Sequence, residues 1–216
     1  MDKVAGRESL KEGAGALGVA LSTEAADALL RFRDELLKWN QRVSLTAITD
    51  RREVLEKHFV DSLAVLPEVG DAKSLLDLGA GAGLPGIPLK LARPELSLTL
   101  VDTVGKKVMF LKNALAALKL VPSARALHAR AEGDPDREGI PRAEVVISRA
   151  FMDVGGFVPL AAKYLAPGGR VVAMLGQKPG RDVLENAGGA AGLKLLSVRS
   201  YTLPWSGAAR AVAVFG

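Results

Sequence analysis

Apolar positions in the first third of this 216-residue chain recur at helical spacing. From Ser22 onward, Leu29, Phe32 and Leu36 fall on one face and Arg31, Asp34 and Lys38 on the other, which predicts an amphipathic helix running to about Asn40. Ser22 or Thr23 is placed to cap it, and Glu24 and Asp27 sit near its positive end. A second stripe, Val54, Leu55, Phe59, Leu63 and Leu66, begins behind Asp50 as cap with Glu53 three residues on, and Pro67 and Gly70 end it. Before Ser22, charges mix with Gly13, Gly15 and Gly18 without a sustained period, so a frayed start is expected. Phe32, Leu36 and Trp39 follow helical spacing and read as core rather than as a platform for stacking bases. Residues 1–73 therefore read as a helical extension with no strand-rich core of its own.

From Ser74 the period changes. Short apolar runs, "SLLDLG", "LSLTLVD", "ARALHA", "AEVVISRA" and "GRVVAML", alternate with helical stretches such as Lys106 to Leu120 and Val154 to Leu165. Near-continuous apolar runs between helices are the signature of a parallel sheet covered on both faces, so the class is α/β, doubly wound and Rossmann-like, over residues 74–216. "LLSVRSYTL" and "RAVAVFG" are expected to pair as an antiparallel edge, with Pro204 to Gly207 between them. There is no internal repeat and no low-complexity segment.

Composition narrows the chemistry. The chain has no cysteine, which excludes disulfides, thiolate metal sites and a cysteine nucleophile. Its two histidines, His58 and His128, stand far apart, so no metal is expected. A content of 49% hydrophobic and 25% charged residues argues against disorder. The net charge of +5 is compatible with a polyanionic partner but does not establish one. The longest early apolar stretch, Gly13 to Leu21, is far shorter than a membrane span and follows no cleavable signal pattern, so a cytoplasmic protein without a membrane partner is expected.

The most informative segment is "LLDLGAGAGLPG", Leu75 to Gly86. A strand ending at Leu78 that feeds a glycine turn and a helix puts that turn at the carboxyl edge of the sheet, where open α/β sheets bind ligands. Gly79, Gly81 and Gly83 can take positive φ and admit a ligand without a Cβ in its way, and Pro85 suits the first helical turn. About twenty residues further on, "LTLVD" ends in Asp102, a place from which a carboxylate grips the two hydroxyls of a ribose. Gly81, Gly83 and Gly86 also satisfy G-x-G-x-x-G, so a nicotinamide dinucleotide competes with S-adenosylmethionine. The acidic start of D-x-G-x-G-x-G, Asp77 to Gly83, favours S-adenosylmethionine, because a carboxylate aimed into the turn suits a cationic sulfonium ligand better than a pyrophosphate.

Without cysteine, carbon-5 methylation of a pyrimidine is closed. The place where methylation of an exocyclic amine relies on a polar-Pro-Pro-aromatic segment reads "ISRAF". An aromatic ring nitrogen such as guanine N7 needs alignment and no strong base, which fits a site poor in obvious bases. The segments "KWN", "SLT", "KHFVDSL", "DLGAGAGLPGIPL", "VDTVGKKVMFL", "ISRAF", "GQKPG" and "LPWSGAARAVAV" together resemble the bacterial small-subunit ribosomal RNA guanine-N7 methyltransferase G family, also called glucose-inhibited division protein B, from about Trp39 to the C-terminus.

That resemblance implies S-adenosyl-L-methionine as cofactor and 16S ribosomal RNA or a small-subunit precursor as partner. It implies cofactor contacts at Gly79 and Leu84 in the turn, Asp102 after the second strand, Ala131 and Glu132 after the third, and Arg149 of "SRA". Glu132 is placed to accept from the adenine amine, and Arg149 to pair with a carboxylate or to orient RNA near the methyl. No residue is needed as a base, and a monomer is expected. Leu175 stands where the family has a lysine before "GQ", so Lys178 would have to substitute for it; Ser44 replaces an asparagine and Thr103 a serine.

His58, Asp61 and Ser62 suggest a hydrolase triad, but three neighbours on one helix do not give its geometry. His58 and Asp61 are expected to pair on the helix surface or to steady the helical extension against the sheet. Arg51, Arg52, Lys106, Lys107, Arg125 and Arg130 would hold RNA phosphates if they shared the carboxyl-edge face. A nicotinamide-dependent oxidoreductase and a non-catalytic ribosome-binding assembly factor are the alternatives at this stage.

Overall fold

A computed structural model describes residues 3–149 and 152–216; Ala150 and Phe151, the last two positions of "ISRAF", lie outside the described residues. Seven strands, β1 (Ser74–Leu78), β2 (Ser97–Asp102), β3 (Ala124–His128), β4 (Ala143–Arg149), β5 (Leu165–Leu175), β6 (Leu195–Thr202) and β7 (Ala209–Phe215), make one sheet in the order β3-β2-β1-β4-β5-β7-β6. The first five are mutually parallel, and β7 runs antiparallel to both β5 and β6. The order reverses between β1 and β4, so the switch point of the fold lies where the glycine turn leaves β1 and Arg149 ends β4.

Strand periodicity sorts the core into two layers. Leu75, Leu98, Leu100, Val145 and Ile147 face one side, and Leu76, Leu78, Val101 and Val146 the other. The first layer continues without a break into the N-terminal helices, where Phe32 stacks between Phe59 at 5.4 Å and Phe110 at 6.4 Å. Trp39, half-buried, packs against Phe110 at 5.9 Å. The helical extension therefore shares a core with one face of the sheet.

Ser22 caps α2 (Thr23–Asn40) by accepting from the Ala25 amide, and Asp50 caps the next helix by accepting from Arg52 and Glu53. Each such cap contributes about 1 kcal/mol. That next helix, α3 over 51–63, runs from Arg51–Val54 through a π-helical stretch, Leu55–Val60, into Asp61–Leu63. The Asp61 amide, which in an α-helix would bond the Lys57 carbonyl, bonds those of Glu56 and His58 instead.

One expectation is corrected. The expected frayed start is a helix, α1 (Lys3–Ala16), because its small residues serve close packing: a Cβ on Gly13 would lie 2.9 Å from Val60 Cγ2 and 3.1 Å from Trp205. Arg7 then pairs with Asp27 of α2 at 2.8 Å. The expected antiparallel pair at the sheet edge is present: β6 and β7 pair antiparallel, with β7 on the inner side, Ala211–Phe215 being buried throughout, and β6 at the margin.

A candidate cofactor and substrate site at the sheet switch point

In the glycine turn, Gly79, Gly81 and Gly83 have φ of 71°, 55° and 80°, the left-handed region that the alternating glycines predict. The turn is stitched largely by its own chain. Ala80 N bonds Val101 O, Gly83 N bonds Ala80 O, and Gly81 N donates to Asp102 Oδ2 at 2.9 Å. Asp102 Oδ1 accepts from Val104 N at 2.8 Å, so this carboxylate ties the turn after β1 to the turn after β2.

Asp77 is fully buried and lines neither of the two cavities beside the turn, so it reaches into the turn as expected but does not face the space they offer a ligand. Its Oδ2 accepts from Gly86 N at 2.9 Å, at the start of the helix after the turn (Gly86–Ala92), and its Oδ1 has no partner among the described residues. Burial pushes its carboxyl up to about 7, against the opposing effects of the Gly86 amide and Arg149. The consequence bears on the ligand. The helix start where a pyrophosphate would sit in a dinucleotide fold already holds a protein carboxylate, and a dianion placed there would face it.

Two cavities meet at Gly79. The smaller, about 240 Å³, lies beside β2 and β3 and is lined by Asp102, Thr103, Lys107, Ala129 and Ala131. The larger, about 840 Å³, runs from Gly81 and Leu84 past Arg149 to the loop before α3 on one side and the segments after β4 and β5 on the other. Gly79, Gly81, Leu84, Asp102, Ala131 and Arg149 thus line a trough of two neighbouring cavities that share Gly79 in their walls. Glu132 lines neither cavity; its side chain is exposed and its amide donates to Glu138.

The wall between extension and sheet is a network that spacing alone does not reveal. Asn40 accepts from the Leu45 and Thr46 amides and donates to the Thr46 carbonyl, which shapes the 41–50 loop. The Thr46 hydroxyl meets His58 Nε2 at 2.8 Å. Arg149 reaches across from β4 to the Lys57 carbonyl at 3.0 Å, to Asp61 Oδ2 at 3.3 Å and to His58 Nδ1 at 3.4 Å. Asp61, 2% exposed, also accepts from the Tyr201 hydroxyl at 2.9 Å and pairs with Arg210 at 3.6 Å. Buried Glu56 accepts from the Trp205 and Ser206 amides, fastening the loop between β6 and β7.

His58 and Asp61 therefore steady the extension against the sheet and are not a surface pair. Burial, with Arg149 beside it, lowers the His58 pKa to about 4, so the ring is neutral at physiological pH. Ser62 donates to the His58 carbonyl, which leaves no nucleophile on the imidazole. Lys178 lines a separate depression beside β6 and does not stand in for a lysine at Leu175, which itself lines the large cavity. Of the six scattered cations, Lys107 lines the trough, Arg51 pairs with Asp34, Arg52 lies over the Trp205 ring, Arg125 bonds Thr99, and Lys106 and Arg130 line neither cavity; Lys57, which was not among them, lines the larger one. Tyr201 and Arg210 are site residues that the sequence reading missed. Among the described residues, no group of three or more His, Cys, Asp or Glu is placed to hold a metal ion, and no helix is long and apolar enough to cross a membrane.

The family described as rRNA small subunit methyltransferase G matches residues 25–203. The ribosomal RNA small subunit methyltransferase G of Myxococcus xanthus is 60% identical over 100% of this chain and 99% of its own length. The chain belongs to this family. The namesake from Anaeromyxobacter dehalogenans (strain 2CP-C) is 52% identical over 95% of each chain. Among solved structures, an O-methyltransferase (NcsB1) from neocarzinostatin biosynthesis superposes with a TM-score of 0.60 at 14% identity, covering 88% of this chain and 58% of that one. TrmN from Thermus thermophilus gives 0.56 at 20% identity, covering 83% and 51%. These likenesses show the Rossmann-like methyltransferase fold. The protein is a methyltransferase with S-adenosylmethionine as its cofactor, and the nicotinamide-dependent reading falls.

Proposed function

We propose that the protein methylates N7 of a guanine in small-subunit 16S ribosomal RNA, in the cytoplasm and as a single chain. The observation that carries the reading is the trough: two cavities joined at Gly79, with the helix start already occupied by Asp77. The smaller cavity suits the adenosine, with Asp102 toward the ribose, Ala131 against the base and Glu132 next to it in the chain. Gly79, Gly81 and Leu84 pass the ligand into the larger cavity, and Arg149 stands there opposite the turn.

When bound, the cofactor supplies a methyl carbon on cationic sulfur; a lone pair forms the new N–C bond while the S–C electron pair stays on sulfur, and no proton leaves N7. The surrounding residues match such an acceptor. His58 is held by Thr46 and Arg149, and Asp61 is held by two arginines and Tyr201, so neither is left to remove a proton. A ring nitrogen with its own lone pair requires no base, and catalysis is then positioning. Lys57, Lys107 and Arg210 place positive charge along the trough for RNA phosphates.

The test is calorimetry with S-adenosylhomocysteine, followed by methylation of small-subunit RNA and chemical cleavage selective for 7-methylguanine. Micromolar binding that weakens in Asp102→Ala, together with one such cleavage site, is expected. A methyl group found on an exocyclic amine or a ribose oxygen overturns the N7 reading.

A further inference from the structure

We infer that the outer part of the larger cavity is a receptacle for one guanine swung out of its RNA stack, and that Asp153 reads this base by accepting from its N1–H and its N2 amino group. The inference rests on the methyl-transfer reading above and deepens it. At about 840 Å³ the larger cavity is more than three times the size of the one beside Asp102 and leaves room beyond the donor for a planar acceptor. Its outer walls are apolar and come from opposite sides: Leu45 and Ile48 on the loop before α3, and Met152, Pro179 and Val183 after β4 and β5. Met152 and Val183 are 42% and 44% exposed, large apolar side chains facing open space in which a flat base stacks.

Two of the lining residues are carboxylates, and they differ in what they have left to give. Asp61 is buried and committed to Tyr201, Arg149 and Arg210. Asp153 is exposed; its Oδ1 accepts from Gly156 N at 3.0 Å, capping the helix Val154–Ala162, and no bond to its Oδ2 is present among the described residues. Gly155 and Gly156 leave this side chain uncrowded: a Cβ at the first would lie 3.1 Å from Asp153 Oδ1, and one at the second 3.2 Å from Met152 Sδ and at ordinary contact distance, 3.5 Å, from Oδ2.

A carboxylate with acceptor capacity suits guanine, whose Watson–Crick edge offers two adjacent donors, N1–H and N2–H. Adenine offers an acceptor and a carbon there. A grip on that edge leaves N7, on the opposite edge, free to face the methyl. As methylation places positive charge on the ring, its N1–H becomes more acidic and the bond to Asp153 strengthens, so the contact favours the transition state over the ground state.

The experiment uses the full chain with an RNA whose target is fixed by the wild-type protein's own methylation site, carrying there either guanine or inosine, which lacks only the N2 amino group. Asn and Ser both cap helices well, so Asp153→Asn and Asp153→Ser preserve the helix start. The wild type is expected to methylate guanine on the order of 10-fold faster than inosine in single turnovers, as suits loss of a hydrogen bond to a charged group. In both variants the guanine rate is expected to fall about 10- to 100-fold and the guanine-to-inosine ratio to collapse toward one, with affinity for S-adenosylhomocysteine unchanged. A 2-aminopurine beside the target is expected to brighten on binding as its neighbour leaves the stack. Variants that keep the wild-type ratio, or that lose cofactor affinity in step with rate, overturn the role of Asp153. Unchanged 2-aminopurine emission overturns the receptacle. A wild type that makes no 7-methylguanine removes the underlying reading along with both.

Discussion

The glycine turn and the seam between extension and sheet line the same trough and are built in opposite ways. Residues 77–86 are contiguous, and the turn is held by its own amides and by two aspartates at neighbouring strand ends. The seam draws Thr46, His58, Asp61, Arg149, Tyr201 and Arg210 from far-separated segments and holds them with side-chain bonds around one buried carboxylate. A site made of backbone is sensitive at few positions but at those tolerates almost no change, whereas a site made of distant side chains fails through its hub.

The hub gives the largest expected effect. Asp61→Ala leaves Arg149 and Arg210 without their shared partner and should cost about 3 kcal/mol, seen as a lower denaturation midpoint. Paired with Arg149→Met its effect should be strongly non-additive, whereas paired with a turn mutation it should add; additivity within the seam would break the comparison.

In the turn, Gly83→Ala puts a Cβ 2.5 Å from Ile87 Cδ1 at φ +80°, and about 2–3 kcal/mol of overpacking and backbone strain should lower Tm by roughly 4–12 °C. Gly81→Ala, also at positive φ, meets only Gly79 O at 3.8 Å, so it should destabilise less.

Titration separates the two regions by sign. Lowering of the His58 pKa from 6.5 to about 4 means that the unfolded chain binds the proton more tightly, so this contribution is present above pH 6.5 and lost as pH falls toward 4. Asp77, raised from 3.8 to about 7, contributes fully below 3.8 and loses that contribution as pH rises through 7. Stability measured from pH 4 to 7 should therefore gain a net fall with pH in His58→Gln and a net rise in Asp77→Asn, each slope at most about 1.4 kcal/mol per pH unit. Equal slopes in both variants would show that the two sites are not electrostatically opposed. The smallest effect is Tyr201→Phe, which removes one bond to Asp61 and should cost about 1–2 kcal/mol, with cofactor affinity unchanged.

The same contrast explains what the chain reveals when read as letters. Strand runs, helix stripes, both caps and the glycine turn are local patterns and fall close to where periodicity and turn chemistry place them, except that the second stripe breaks after Leu63 and Pro67 opens a short helix, Leu66–Val69, instead of ending one. The helix Lys3–Ala16 was hidden because Gly13 and Gly15 read as breakers, although Gly13 lets that helix lie close against Val60 and Trp205. β6 and β7 pair antiparallel as the two runs suggest; which of them lies outermost was not legible from the pairing, although the unbroken buried run Ala211–Phe215 is the signal of an interior strand. The motifs "KWN", "SLT" and "KHFVDSL" are legible only as a resemblance, and their shared reason is the bond chain from Asn40 through Thr46 and His58 to Arg149. Tyr201 and Arg210 carried no local signal, since nothing in their surroundings announces a carboxylate well over a hundred residues earlier.

The place of β7 has a consequence for how the protein comes into being. β5 and β6 are joined only through β7, which lies between them, and Arg210 on β7 together with the loop that Glu56 fastens belongs to the same stretch of chain. Until β7 docks, β5 has an unpaired margin and the hub lacks one of its arginines. Closing the sheet and completing the hub are thus one event, and a chain in which β7 fails to dock has neither a finished sheet nor a finished site.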